Sequence, residues 1–219
     1  MLKTSTLSFL KGLAANNNKP WFDANRDAYV EAKEDFEVFA TAILKELAKT
    51  EPGFAEQKAK DCVFRIFRDV RFSKDKTPYK PNFGAYFSKG GKKFPGAGYY
   101  VHIEPGGHSF AGGGLWMPEA PILKAVRQEI DYNLDEFKGI LADKKFKKAF
   151  PQLSGESAKK PPVGYTEDNP GIEYIKMKSF TVMHPITDDM LAGKTFAKQT
   201  TDLFTTMRPL VDFLNRAVE

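Results

Sequence analysis

The chain has 219 residues, a formal net charge of +5 and a single cysteine, Cys62. One cysteine excludes an internal disulfide and the paired thiolates of a zinc or CxxC redox site, and no apolar run suits a signal peptide or a membrane span. From these features we expect one soluble cytoplasmic domain over residues 1–219, without a membrane partner.

The N-terminal part of the chain has the periodicity of helices. Residues 5–15 are expected to form a short helix that the stretch "NNNKP" ends. Asp23 is a suitable N-cap for a long helix that continues to about Lys49. Apolar side chains spaced three or four residues apart form its predicted buried stripe: Tyr29, Ala32, Phe36, Phe39, Ile43 and Leu47. This pattern predicts an amphipathic helix that covers a sheet.

The middle of the chain has the shorter pattern of strands. Residues 62–67 indicate a strand with Cys62 as a small core residue, although their apolar positions also satisfy a helical template. Three further strand candidates follow in close order: residues 83–88, 98–104 and 108–113. The last two are joined by "EPGG", which has the residues of a type II turn. Short sequential connections predict antiparallel neighbours.

Helices are expected again in the C-terminal part. A proline-rich start predicts a helix over residues 119–141, and Pro170 can begin a short one. The stretch "SFTVMHPI" is a candidate last strand, and a helical region then covers residues 187–217, with a kink expected at Pro209. Helices at both ends of an antiparallel middle predict the α+β fold class.

Most of the net charge lies in "FRIFRDVRFSKDKTPYKPN", residues 64–82, which we call the basic segment. Its six cations and two aspartates give a formal charge of +4, against +5 for the whole chain. Arg65, Arg68 and Arg71 recur every third residue, and two carboxylates cannot neutralise six cations. Because the guanidinium fork suits two-point contact with carboxylate or phosphate, the basic segment predicts a site for a small anionic ligand.

Each part of the basic segment has an expected role in this site. The arginines would clamp the anion, two lysines would add point charge, and Asp69 would orient an arginine. Two prolines stiffen the arm that follows, so that Tyr79 would offer a hydroxyl or a stacking face. The candidate ligand-binding residues in the segment are Arg65, Arg68, Asp69, Arg71, Lys76, Tyr79 and Lys80. The sequence indicates neither catalytic residues nor a cofactor.

Two other interpretations of the basic segment stay open. The arginines could make structural ion pairs inside a protein-interaction module, while the lysines form a solvated loop. Alternatively, residues 64–93 could bind nucleic acid, since basic residues there are interleaved with aromatic ones such as Phe67, Phe72 and Tyr86. No recognised nucleic-acid-binding module accompanies them.

A glycine run is a second candidate element of the anion site. Gly112, Gly113 and Gly114 stand between a predicted strand and a predicted helix start, where glycine lets backbone amides approach an anion. Gly113 and Trp116 are therefore counted among the candidate ligand-binding residues. A tight strand-to-helix connection packed against Trp116 is the commoner reason for such glycines.

Histidines provide the remaining candidates. His102 and Glu104 share one face of a predicted strand, and His108 lies just beyond the turn. Imidazole and carboxylate both bind divalent ions, but three histidines in the whole chain give weak support, and we expect no metal site. A pairing of Asp69 with His102 for acid–base chemistry would depend on the folded geometry.

Two stretches carry a resemblance to a known family. They are "FRIFRDVRFSKDKTPYKPNFGAYF" and "YYVHIEPGGHSFAGGGLWMPEAPILKAVRQEI". They resemble the bacterial family, found also in some fungi, that is catalogued as domain of unknown function 2461, and the resemblance extends from "FLKGLAANNNKPWFDANRDAY" to "RPLVDFLNRAV". It implies a single α+β domain and identifies no substrate. The family's signature positions here would be Arg68, Asp69, Arg71, Lys76, Pro78, Tyr79 and Lys80.

Overall fold

The computed structural model of the protein describes residues 1–218. Four strands form one antiparallel sheet in the order β1-β2-β3-β4: β1 (Phe83–Phe87), β2 (Gly98–Ile103), β3 (Phe110–Leu115) and β4 (Phe180–Pro185). The helices are α1 (Thr4–Ala15), α2 (Lys19–Ala24), α3 (Arg26–Ala48), α4 (Ala59–Cys62), α5 (Ala120–Tyr132), α6 (Leu134–Ala142), α7 (Lys144–Ala149), α8 (Ile172–Ile175), α9 (Asp188–Leu191) and α10 (Phe196–Arg216). The predicted α+β class is confirmed.

The chain divides into two compact units. The first unit contains residues 1–92, 100–111 and 185–201, and the second contains residues 93–99, 112–184 and 202 onwards. The expectation of a single domain stays a prediction. In residues 1–218, no helix is both long and apolar enough to cross a membrane.

In the first unit, the helix start expected at Asp23 is wrong. The side chain of Asn18 caps α2 by accepting a hydrogen bond of 3.0 Å from the backbone N–H of Trp21. Asp23 lies inside α2, and α3 begins only after Asn25. The asparagine-rich stretch therefore ends α1 as predicted, but it also opens a further helix, because Pro20 suits the first turn of α2.

The predicted apolar stripe of α3 forms the core of the first unit. Five of its six positions are buried, and Tyr29 is half-buried. Phe36 stacks on Phe83 of β1 with ring centroids 5.3 Å apart, and Phe39 stacks on Phe196 at 4.8 Å. Aromatic rings thus join α3 to both β1 and the start of α10.

The strand expected over residues 62–67 does not form as a regular strand. Cys62 ends α4, and the residues after it run antiparallel to residues 79–85 through two isolated bridges, Val63 to Ala85 in β1 and Phe67 to Tyr79 before it. Between these two bridges the chain advances by four residues on one strand, from 63 to 67, and by six on the other, from 79 to 85. The ladder is therefore irregular. Pro81 lies within it and has no N–H to donate.

The second unit has its own aromatic core and contains the three consecutive glycines. Tyr99 stacks on Phe204 at 4.9 Å, and Phe137 contacts Phe213 at 5.1 Å. Gly114 has a φ of 107°, and a Cβ at that position would lie 2.1 Å from the carbonyl oxygen of Phe180 on β4. Glycine is required there because the strands of the sheet approach closely.

Candidate functional site

The loop of the basic segment satisfies Arg68 internally. The guanidinium Nη1 of Arg68 donates to the Asp75 carboxylate and to the Thr77 hydroxyl. Asp75 also accepts from the backbone N–H of Thr77 at 2.9 Å. The hydrogen bond from Arg68 is the main reason that the pKa of Asp75 falls to about 2. Arg68 is therefore a neutralised side chain that shapes the loop.

Arg71 is paired in the same way, with the aspartate that was expected to orient an arginine. Its Nε donates to Asp69 Oδ1 at 2.9 Å and its Nη2 donates to Asp69 Oδ2 at 2.6 Å, a two-point contact. This contact holds the pKa of Asp69 below its ordinary value. Lys76 donates to the carbonyl oxygen of Val70 at 2.9 Å. Structural ion pairing thus accounts for two of the three predicted clamps.

Tyr79 packs inside the first unit. Its side chain and backbone are only 5% exposed, and its ring stacks on Phe22 with centroids 4.1 Å apart. Its backbone N–H and carbonyl form hydrogen bonds with the side-chain amide of Asn17 at 3.1 and 2.9 Å. Tyr79 anchors the stiff arm to the helices, and this burial leaves little of the ring open to a ligand.

Two lysines lie over the exposed ring of Phe64, and an arginine follows Phe64 in the chain. The ammonium groups of Lys80 and Lys92 lie 5.6 and 5.5 Å from the ring centroid of Phe64, whose surface is 39% exposed. The adjacent Arg65 is exposed and close enough to lower the pKa of Lys80. We call Arg65, Lys80 and Lys92, together with Phe64, the Phe64 cation cluster.

In the part of the chain that the structure describes, the Phe64 cation cluster has no acidic ion-pair partner. Within residues 1–218, none of its three cations forms an ion pair with a carboxylate, and Lys92 donates instead to the carbonyl oxygen of Val63 at 2.9 Å. The pKa of Lys80 is lowered first by burial and then by the charge of Arg65. Both effects disfavour the ammonium ion, whereas an anion bound beside Lys80 would favour it.

A line of polar side chains lies along the part of β2 that belongs to the first unit. Because successive strand residues face opposite ways, Tyr100, His102 and Glu104 share one face. Glu104 Oε2 lies 2.9 Å from His102 Nε2, and the other ring nitrogen, Nδ1, lies 3.2 Å from the Tyr100 hydroxyl and 3.3 Å from Asn82 Nδ2. Phe110 stacks on the imidazole at 4.9 Å. We call Asn82, Tyr100, His102 and Glu104 the His102 chain.

Gly84 brings the His102 chain next to the Phe64 cation cluster. A Cβ on Gly84 would lie 2.5 Å from the Tyr100 hydroxyl, so only glycine leaves room for the tyrosine to cross β1 at this point. On the far side of Gly84, the Tyr100 ring contacts the ring of Phe64, with ring centroids 6.2 Å apart. Burial, followed by the charge of Glu104, raises the pKa of Tyr100 to about 12.

Gly113 and Trp116 belong to the second unit. A Cβ on Gly113 would lie 2.3 Å from the carbonyl oxygen of Gly98, which explains the glycine by close approach of strands. Trp116 is 70% exposed, and the following Met117 has a φ of 43° and donates its N–H to Ser179 Oγ at 2.9 Å. Ligand binding by Gly113 and Trp116 stays a prediction.

The second unit also has a surface cavity of about 400 Å³. Aromatic and aliphatic side chains, including those of Phe146, Phe150 and Met177, form part of its lining. Its one charged lining residue is Glu173, which hydrogen-bonds the neighbouring Tyr174. An acidic lining is the wrong complement for an anion, so this cavity does not serve the predicted site.

Three other predictions concern acid–base pairing of Asp69, metal binding and the role of Cys62. Asp69 pairs with Arg71 and not with His102, so the acid–base pairing suggested for Asp69 is wrong; Glu104 takes that place. No group of three or more His, Cys, Asp or Glu side chains in residues 1–218 is arranged to hold a metal ion. Cys62 is buried, and burial raises the pKa of its thiol to about 11, which confirms it as a core residue.

Sequence reasoning placed Glu104 beside His102 but missed two other partners of this ring, Tyr100 and Asn82. The alternation that put His102 and Glu104 on one face extends to Tyr100, so this residue could have been found from the same pattern. Asn82 could not, because its contact with His102 depends on the pairing of β1 with β2.

A family model covers most of the chain. The model of the family described as conserved hypothetical protein (DUF2461) matches residues 5–213. No curated protein and no solved structure matches the chain.

Proposed function

The chain belongs to the DUF2461 family of conserved hypothetical proteins, and we propose that it binds a small phosphate- or carboxylate-bearing anion at the Phe64 cation cluster. The observation that carries this proposal is the grouping of Arg65, Lys80 and Lys92 without any acidic partner in residues 1–218. Arg65 and Lys80 were among the residues expected to bind the anion, and Lys92 joins them.

Electrostatics supports an anion at this position. Like charges repel more strongly where the surroundings are partly buried, by up to ~4 kcal/mol at 4 Å for an effective dielectric constant of 20. Arg68 and Arg71 avoid this cost through Asp75 and Asp69. Among residues 1–218, no carboxylate pairs with Arg65 or Lys80 in this way, so a bound phosphate would supply the missing negative charge.

Isothermal titration with inorganic phosphate tests the proposal. We expect saturable binding at one site per chain, and a loss of about tenfold or more in affinity for Arg65→Gln and for Lys80→Gln. The matched control is Arg71→Gln, which removes a guanidinium from the same segment that is already paired with Asp69. Affinity that falls with Arg71→Gln but not with Lys80→Gln would refute this location for the anion.

Nucleic acid is the second candidate ligand. Phe64 is an exposed aromatic ring among cations, which is the composition of single-strand binding surfaces. However, the ammonium groups of Lys80 and Lys92 lie over this ring and occupy area that a base would need for stacking. An oligonucleotide that bound more tightly than phosphate, with affinity falling steeply between two salt concentrations, would favour the nucleic-acid function over the small anion.

A protein-interaction module is the remaining alternative. The internal pairing of Arg68 and Arg71 is what such a module would need. It would bind neither phosphate nor an oligonucleotide, and an acidic protein would co-purify with the chain.

A further inference from the structure

The His102 chain has the arrangement of a proton relay beside the proposed anion site. A carboxylate can only accept hydrogen bonds, so the contact of 2.9 Å between Glu104 Oε2 and His102 Nε2 puts a proton on Nε2. In the neutral ring, Nδ1 then has a lone pair. The Tyr100 hydroxyl, at 3.2 Å from Nδ1, is positioned to donate to it.

Several contacts fix the imidazole in this orientation. Phe110 stacks on the ring with an interplanar angle of 13°. The amide Nδ2 of Asn82, a second donor, lies 3.3 Å from the same Nδ1. Ser109 Oγ accepts from the backbone N–H of Glu104 at 2.9 Å and donates to its carbonyl oxygen at 3.0 Å, which holds the residue that supports His102. Preorganisation of this kind is what acid–base catalysis needs.

The relay lies next to the cations that would hold a substrate. Tyr100 contacts Phe64, and Phe64 is the centre of the Phe64 cation cluster. His102 and Glu104 retain 17% and 27% exposure of their side chains, so protons can exchange with the surface. The contact between Tyr100 and Phe64 thus places the relay beside cations that form no ion pair with a carboxylate in residues 1–218.

We propose that Tyr100, His102 and Glu104 form an acid–base relay that hydrolyses a phosphate monoester held by Arg65, Lys80 and Lys92. This inference rests on the proposed anion binding. As a water oxygen bonds to phosphorus, its proton passes to the Tyr100 oxygen while the Tyr100 proton passes to His102 Nδ1. The bond from phosphorus to the leaving oxygen breaks, and its electron pair stays on that oxygen.

The same relay then returns the proton. The leaving oxygen takes a proton from Tyr100, and His102 returns its own to Tyr100, so that the products are an alcohol and inorganic phosphate. The cations stabilise the charge that develops on the phosphoryl oxygens. Glu104 is a positioning residue, which fixes the tautomer of His102 and stabilises the imidazolium that forms between the two steps.

The test measures hydrolysis of 4-nitrophenyl phosphate by the full chain, together with phosphate binding by titration of the same preparations. Tyr100→Phe removes only the relay hydroxyl and should lower the hydrolysis rate by at least about 100-fold while phosphate binding is kept. His102→Gln should have the same effect. Glu104→Gln should keep part of the rate and shift the pH–rate profile to lower pH, which a merely structural residue would not do.

His108→Gln is the matched control. His108 is exposed in the same unit and lies outside the His102 chain, so its replacement should leave the rate unchanged. If the wild type binds phosphate but does not hydrolyse the probe, or if Tyr100→Phe hydrolyses it at the wild-type rate, the relay is refuted and the anion site stands. If the wild type binds no phosphate, the proposed function fails and the relay fails with it.

Discussion

Gly84→Ala should displace Tyr100 from His102 without unfolding the sheet. The added Cβ would lie 2.5 Å from the Tyr100 hydroxyl and 3.1 Å from two ring carbons, whereas ordinary contact begins at 3.4 Å. The hydroxyl must therefore move by roughly 1 Å, which breaks its 3.2 Å hydrogen bond to Nδ1. Losing this bond costs about 1 kcal/mol, and repacking the ring adds about 1–2 kcal/mol.

A double-mutant cycle with Tyr100→Phe isolates this effect. Urea denaturation gives the free energy of unfolding for the wild type, both single variants and the double variant. In the Tyr100→Phe background the closest atom is gone, so Gly84→Ala should cost less by about 1 kcal/mol or more. The effect of alanine on the unfolded chain is the same in both backgrounds and cancels. Costs that add within about 0.3 kcal/mol would show that Gly84 does not hold Tyr100 against His102.

Three further predictions concern glycines and carboxylates. Gly114→Ala should lower the free energy of unfolding in urea by about 3 kcal/mol or more, because Gly114 has a φ of 107° and the new Cβ would lie 2.1 Å from a carbonyl oxygen. Gly139→Ala is the control: nothing lies within 4 Å of its Cβ in helix α6, so it should raise that free energy by about 0.5–1 kcal/mol. Equal effects of the two substitutions would contradict the close approach at Gly114. In carboxyl NMR, Asp75 should titrate at about 2, and Arg68→Gln should raise that pKa toward the ordinary 3.8, whereas an unchanged pKa would mean that Arg68 does not pair with it. Asp188 accepts hydrogen bonds from the backbone N–H groups of residues 106 and 107, and these bonds lower its pKa in the folded chain. Its contribution to stability should therefore be complete above the pKa of the unfolded chain. This contribution should be lost as the pH falls through the lower pKa of the folded chain. Asp188→Asn should accordingly cost about 1 kcal/mol at neutral pH and little in acid, and a cost that did not depend on pH would contradict this.

The fold class was predictable because it depends on local patterns. Spacing of apolar side chains identified α3 and its buried face, and short connections identified the antiparallel order. Asp23 was placed wrongly because several residues near it can cap a helix, and only packing selects Asn18. The irregular pairing of residues 63–67 depends on where Pro81 falls in the ladder, which neither segment reveals alone.

The candidate site was predictable in composition but not in pairing. Charge counting found an excess of cations in the basic segment, and the excess is real. The path of the loop over residues 69–77 brings Asp75 to Arg68. It gives Arg65 and Lys80 no carboxylate partner within the described residues 1–218. Lys92 lies ten residues beyond the segment. It joins the cluster because its ammonium group, like that of Lys80, lies over the ring of Phe64.

The position of a bound phosphate tests the central claim most directly. Titration of the isotope-labelled chain with inorganic phosphate, followed through backbone amide shifts, reports every residue at once. We predict saturable shifts centred on Phe64, Arg65, Lys80 and Lys92, with small changes over residues 69–77. Shifts centred on Arg68 and Arg71, or none at all, would contradict the assignment of the anion to the Phe64 cation cluster.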